Sequence, residues 1–358
     1  MLRLRSLWGI VLVAMTGGTA LGQSLMPVAD PFAPMTVSQG TAPAGSPLSA
    51  LPGLQPVSHT QSQFAQPQPA PAFGIPLPET VLGLPVVSNH KLFGLFRESD
   101  HEFSRFISPM SNPVFFEDPR TLTEARAIFL NHQIPGELGG NNVQVVAMQL
   151  RGAITERLSI IATKNGYLFS QNPLLRDGFA DLNAGLKYNL YRDVDTQTLL
   201  STGFTYGIPL GSTRALQGRG TGEFNFFASG GTEFLENWHY ISTAGIRVPT
   251  HTTQQNLSTY WSNHVDVRLG ETGFYLFTEV NWFHWLTSAN GFPVPVEGLD
   301  FFNLGSVGVA GNDIVTGAYG LKYKPSKYLE FGVAYEIPYT RRRDILQDRI
   351  AVEAIFRY

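Results

Sequence analysis

The chain contains no cysteine. Disulfides and thiolate metal sites are therefore excluded, and the absence fits an exported protein. Charge is scarce as well. Asp, Glu, Lys and Arg make up 15% of the 358 residues, against about 25% in soluble domains. There is no basic excess: Lys plus Arg number 25 and Asp plus Glu 28. Nucleic acid is thus not an expected partner. The apolar run at Leu7 to Met15 is shorter than the roughly 20 residues a spanning helix requires. What is plentiful is aromatic residues, at 12%, and glycine, at 36. Few charges, many aromatics and many glycines suit a sheet closed on itself with one face turned to lipid.

The first 122 residues divide into three parts. Residues 1–22 read as a cleaved signal peptide, with Arg3 and Arg5 before the apolar run and Ala20-Leu21-Gly22 at the cleavage site. Residues 23–88, rich in Pro, Ala, Gln and Ser, cannot pack a core and read as a disordered leader. Residues 89–122 set Leu92, Phe93, Leu95, Phe96, Phe103 and Phe106 among charges. Their spacing predicts a short amphipathic helix followed by a Pro-bracketed extended run. Such a segment could plug the barrel, cover its mouth or lie on the membrane surface.

From residue 123 the chain becomes short alternating runs split by turn signals, which is an all-β pattern. It predicts twelve strands, at about 124–134, 143–151, 158–168, 180–191, 198–210, 223–234, 239–249, 259–269, 273–286, 313–323, 329–338 and 349–358. Short turns alternate with longer loops, as in membrane barrels with short periplasmic turns and long external loops. Faces separate cleanly. In 329–338, Leu329, Phe331, Val333, Tyr335 and Ile337 oppose Glu330 and Glu336. A soluble barrel would alternate in the same way. Lipid outside is favoured by charges of both signs on the polar face and by two belts of aromatics: Tyr188, Trp238, Tyr240, Tyr323 and Tyr328 at one rim, and Tyr206, Tyr260, Trp261, Trp282, Trp285 and Tyr339 at the other. A transmembrane antiparallel barrel in the outer membrane is expected, with outer-membrane lipid and lipopolysaccharide around it.

The last strand ends in Ile350, Val352, Ala354, Phe356 and Tyr358 on one face. This resembles the C-terminal signal of bacterial outer-membrane barrels, which implies recognition by the barrel-assembly machinery. The family more often ends in Phe or Trp. Leu150-Arg-Gly-Ala-Ile-Thr-Glu-Arg-Leu158 and Asp181-Leu-Asn-Ala-Gly-Leu-Lys-Tyr188 resemble a hairpin and a strand of the outer-membrane proteins grouped with the phenol meta-degradation pathway. That resemblance implies a transporter-like or channel-like barrel over roughly residues 145–358.

The expected lumen lining is Arg151, Asp181, Lys187, Glu233, Arg247, Asp266, Arg268, Glu279, Lys322, Glu330, Glu336, Arg349, Glu353 and Arg357. Neither sign dominates, and salt bridges across a narrow lumen could close it. Ser262, His264 and Asp266 share one strand face, but same-face neighbours lie about 6.5–7 Å apart and a nucleophile–base contact needs about 2.6–3.2 Å. Polar lining is the better reading, and no nucleophile elbow or phosphate loop is present. The eight histidines show no metal-ligand spacing. No cofactor or enzymatic role is expected. Arg341-Arg342-Arg343 in the last loop reads as a solvated run, with lipopolysaccharide phosphates as the sharper alternative. The expected function is passage or binding of small solutes; the alternatives are a non-conducting structural barrel and, less favoured, a membrane-embedded hydrolase.

Overall fold

The computed structural model describes residues 91–358, together with two short antiparallel pairings, Thr80–Val81 with Leu84–Pro85 and Val87–Ser88 with Lys91–Leu92. The signal-peptide expectation and almost all of the leader lie outside the described residues. Twelve strands form one closed antiparallel barrel. They are β1 (Glu124–Gln133), β2 (Asn142–Ala153), β3 (Leu158–Lys164, continued by Tyr167–Ser170), β4 (Leu182–Asp193), β5 (Thr198–Ile208), β6 (Glu223–Leu235), β7 (Trp238–Pro249), β8 (Ser258–Arg268), β9 (Phe274–Trp285), β10 (Asp313–Ser326), β11 (Leu329–Pro338) and β12 (Asp348–Arg357). Each pairs with its sequence neighbours. The ring closes where β12 meets β1, with Arg357 opposite Glu124 and Asp348 opposite Gln133. The twelve barrel strands thus leave no open edge, which is what a strand structure needs in lipid.

Turn chemistry sets the two ends apart. At the turn end β6 and β7 are joined by two residues, and Asn237 takes a positive φ of 65°. A reversal that tight favours Asn or Gly. At the loop end the connections are longer, and the longest spans 286–312. One strand departs from the expected pattern. β3 breaks at Asn165-Gly166, where the Asn165 side chain bonds the backbone of Met148 in place of a ladder partner.

Outward faces carry Leu186, Leu190, Phe226, Leu276, Tyr335, Val333, Ile350, Val352 and Phe356, all exposed. A continuous apolar surface of this kind requires a hydrocarbon surround. Val333 is 45% exposed at mid-strand. Val333→Arg is expected to cost about 2–4 kcal/mol of folding stability in bilayers, measurable by urea titration in liposomes. An unchanged midpoint would mean that this face does not meet lipid. Thr316, on the inward face of β10, looks from alternation alone like a tolerant site for arginine. It is 0% exposed and bonded to Glu336 at 2.6 Å, so arginine there would overpack a filled interior.

Two members of the expected aromatic belts point inward. Tyr260 is 1% exposed and packs on Phe115; Trp285 is 2% exposed beside Arg342. The reason is parity. Tyr260 adjoins Trp261, and Trp285 lies three residues from Trp282, so neither can share its neighbour's face. Tyr188, Trp238, Tyr323, Tyr328 and Tyr339 are exposed.

The helix expected within residues 89–122 is absent among the described residues. Helical structure among the described residues is confined to three single turns, one of them at His101–Phe103. Phe103 and Phe106 are fully buried, whereas Phe93 is exposed. The chain is drawn across the rim by backbone bonds from Arg97 to Ala153, Ser99 to Tyr358 and Asp100 to Thr121. These pairings replace the bonds a helix would have made within itself.

Candidate functional site

The site is the barrel interior, and it is occupied by the chain itself. Residues 103–123 lie almost wholly buried inside the ring. Wall side chains bond the main chain of this segment along its length. Lys324 donates to the carbonyls of Ser104 and Phe106, Lys322 to Ser108, Arg126 to Pro109 at 2.7 Å and Gln149 to Pro113 at 2.6 Å. Ser229 and Thr243 donate to Glu117, Lys187 to Asp118 and Ser201 to Pro119. In the other direction, the N–H groups of Met110 and Ser111 donate to Glu279, and that of Ser108 to Glu330. Glycines make room for this occupant. A Cβ at Gly332 would stand 2.5 Å from Met110 Sδ, so a larger residue there would push the Met110 side chain aside.

Ion pairs link segment and wall. Glu117 receives Arg151 at 2.6 Å and Lys187 at 2.8 Å. Burial alone would raise the Glu117 carboxyl, but Arg151 and Lys187 outweigh it and hold the group at about 2. Asp118 pairs with Arg120, whose guanidinium also reaches the carbonyl of Phe106 and the hydroxyl of Ser108. At the rim, Arg192 meets Asp100 at 2.7 Å and Arg105 meets Glu233 at 2.6 Å. Elsewhere the wall pairs with itself. Arg357 joins Glu124 at 2.8 Å and Glu330 at 2.7 Å, Lys322 joins Glu330 and Glu353, and Arg126 joins Glu353.

A second layer closes the loop end. Residues 286–312 fold inward as a lid, burying Leu299, Phe301, Phe302 and Leu304. Asp300 meets Arg349 at 3.0 Å, and Arg349 also holds Glu336 at 2.6 Å. Arg247 holds Glu223 at 2.8 Å and donates to the carbonyl of Leu299 at 2.7 Å. Glu297 is the hub of the lid, accepting from the N–H groups of Leu304 and Ser306 and from Asn256. Glu297→Ala would leave those buried donors unpaired, at about 1–3 kcal/mol each. Amide exchange across 297–306 is expected to accelerate while the strands stay protected; unchanged exchange would remove Glu297 from this role. Between segment and lid, the cavity bounded by Phe115, Arg247 and Phe302 holds about 30 Å³.

The expected lumen residues thus fall into three places. Arg151, Lys187, Asp266, Glu279, Lys322, Glu330, Glu353 and Arg357 surround the segment, whereas Glu336, Arg247 and Arg349 lie under the lid. The remaining three sit at the ends. Glu233 is at the rim, Asp181 accepts from Gly211 and Gly218 of a loop, and Arg268 pairs with Glu271 of a turn. The interior is not polar throughout. Ile128, Leu130, Val143, Val145 and Phe283 form an apolar core with Phe115 and the lid. Alternation gives no signal for this core where, as at Val145-Val146, both faces are apolar.

Glu117 and Asp118 are among the segment charges expected to meet lumen charges, and Glu117 does so at Arg151 and Lys187. Arg126 is the interior partner missing from the expected lining. The legible signal for Arg126 is its place two residues from Glu124 on one face of β1. His264 bonds Glu279 at 2.7 Å and Asp266 at 3.0 Å, and His239 bonds Asp266 at 2.7 Å. Ser262 Oγ accepts from Asn112 instead of meeting His264, so the three residues on that strand do not form a nucleophile–base pair. In the last loop, Arg342 pairs with Asp344 and Arg343 with Glu137. The run is therefore partly neutralised rather than freely solvated.

No protein-family model matches the chain, and no curated protein matches it in sequence. Solved structures match its fold. An outer-membrane channel from Pseudomonas putida F1 aligns with a TM-score of 0.51 at 10% identity, covering 71% of this chain and 100% of that one. The fold shared with it is the closed antiparallel barrel. NanC porin aligns at 0.42 with 7% identity, and KdgM porin at 0.41 with 9% identity, each covering 66% of this chain and 99% of its own. At these identities the likeness is one of architecture alone, and the specific phenol meta-degradation grouping receives no separate support.

Proposed function

We propose that the protein is an outer-membrane channel for small polar solutes, closed in this state by residues 97–123. The turn end then faces the periplasm, and lipid with external lipopolysaccharide surrounds the wall. Assembly through the C-terminal strand and membership of the phenol meta-degradation transporter group belong to the same proposal. One observation carries it. The barrel closes through β12 and β1 without the segment. Inside the ring residues 103–120 are held by side chains rather than by strand pairing, and backbone bonds tie the segment only at the rim, through Arg97, Ser99 and Thr123. It can leave without breaking a ladder bond, exposing Arg151, Lys187, Glu279 and Lys322 to water. Mixed charge of this kind along a wet passage suits polar solutes.

The test is conductance in planar bilayers. A variant lacking residues 23–122 retains every strand and is expected to fold, as judged by heat-modifiable migration, and to open where the full chain stays shut. A folded variant as silent as the full chain would instead support a non-conducting barrel, a reading that the inward-folded lid favours.

A further inference from the structure

We infer that the interior is a peptide-binding site, whose ligand class is a short extended polypeptide with a carboxylate placed between Arg151 and Lys187. Residues 104–120 are then its tethered occupant. The inference rests on the channel reading above and names the class of solute that competes for the passage.

The wall addresses the occupant as main chain. A plug that folded by itself would satisfy its own backbone, yet the local backbone bonds of this segment are few: Ser104 to His101, Phe106 to Phe103, Phe115 and Phe116 to Asn112, and Glu117 to Phe115. The carbonyls of eight of its residues, from Ser104 to Pro119, are taken by ammonium, guanidinium, amide and hydroxyl donors of the strands. Ser108 shows the match at one residue, its N–H on Glu330 and its carbonyl on Lys322. That donor and acceptor are themselves paired at 2.6 Å, and an adjacent donor and acceptor fit the N–H and C=O of one peptide residue. The wall offers more donors than acceptors to this stretch. Pro109, Pro113 and Pro119 have carbonyls but no N–H, so the imbalance suits a proline-interrupted peptide. Side-chain selection is concentrated at Glu117, which both Arg151 and Lys187 reach. The turn end supplies an entrance, an open cleft of about 610 Å³ lined by Arg97, Asp100, Arg192 and Lys327 among others.

The experiment uses a synthetic peptide of residues 104–120. Calorimetry with the folded variant lacking residues 23–122 is expected to show one-to-one binding. A peptide carrying Glu117→Gln should bind about a hundredfold more weakly or worse, because Lys187 is then left without a carboxylate. Current through the same variant should fall as peptide is added on the periplasmic side. No binding by a folded, conducting variant overturns the peptide site and leaves the channel reading intact. Binding without any conductance does the reverse. Equal binding of a scrambled peptide also overturns the inference. If the truncated barrel does not fold, the full chain serves. Peptide at about millimolar concentration, the range of a short tether's effective concentration, is then expected to accelerate amide exchange at Met110 and Ser111 by displacing them. Unchanged exchange there counts against the site.

Discussion

Replacing Glu117 by lysine is expected to drive residues 97–123 out of the barrel. In the native chain this carboxylate lies between Arg151 and Lys187, all three buried. Arg151 keeps Glu124 at 3.1 Å, but Lys187 loses its carboxylate, and breaking a buried pair costs about 3–5 kcal/mol. That corresponds to about two to nearly four powers of ten in the population of the expelled state. A lysine adds a third cation to the site, so Glu117→Lys should exceed Glu117→Gln. Amide exchange across 104–121 and bilayer conductance are expected to rise together, with heat-modifiable migration unchanged because no strand is touched. Full protection of the segment in a folded Glu117→Lys barrel would remove this residue from the latch. The same contact fixes a pH dependence. The Glu117 carboxyl is lowered from 4.5 to about 2, the charge of Arg151 and Lys187 outweighing the upward push of burial. A depressed acid stabilises its bound state above its unperturbed value and loses that contribution as pH falls through the depressed one. Its share of closure should therefore be constant from neutral pH to about 4.5 and fade only toward about 2.

Most of the wall could be read from period two. β11 shows why. Glu330 and Glu336 alternate with Phe331, Val333 and Tyr335, so one face must be lipid and the other interior, and the strand ends at Pro338. Aromatic clustering was a weaker guide, because Tyr260 and Trp285 sit at the correct height but on the inward parity. What alternation does not carry is where non-strand chain goes. The 89–122 segment has aromatic spacing compatible with a helix, yet its prolines and the hydrogen-bond donors of the wall favour an extended path. That preference depends on Lys322, Arg126 and Gln149 standing together, which only barrel closure arranges. The lid is illegible for the same reason. Nothing local in Leu299-Asp300-Phe301-Phe302 says that Asp300 meets Arg349, some fifty residues later.

The segment and the lid close the passage in series, and their removal is expected to act more than additively. Lid residues 293–304 can be replaced by two glycines, because Phe292 and Gly291 already bond Gly305, and Val307 bonds Phe292, at the neck of the loop. Loss of Asp300 leaves Arg349 with Glu336, and loss of the Leu299 carbonyl leaves Arg247 with Glu223. No wall cation is orphaned, so the barrel should fold. Resistances in series add, so clearing one layer leaves the other to limit the current. The variant lacking residues 23–122 should conduct less than the variant that also carries the shortened lid, and the shortened lid alone should add little. The doubly cleared channel should also pass anions more readily than the singly cleared one. Its loop-end mouth has lost Glu297 and Asp300 while keeping Arg247 and Arg349, and rings of charge set selectivity in such passages. Single-channel recordings and reversal potentials in a salt gradient on the full chain, both single variants and the double variant measure this. Equal conductance of the double variant and the segment deletion would show that the lid opens by itself and that residues 97–123 are the whole of the closure.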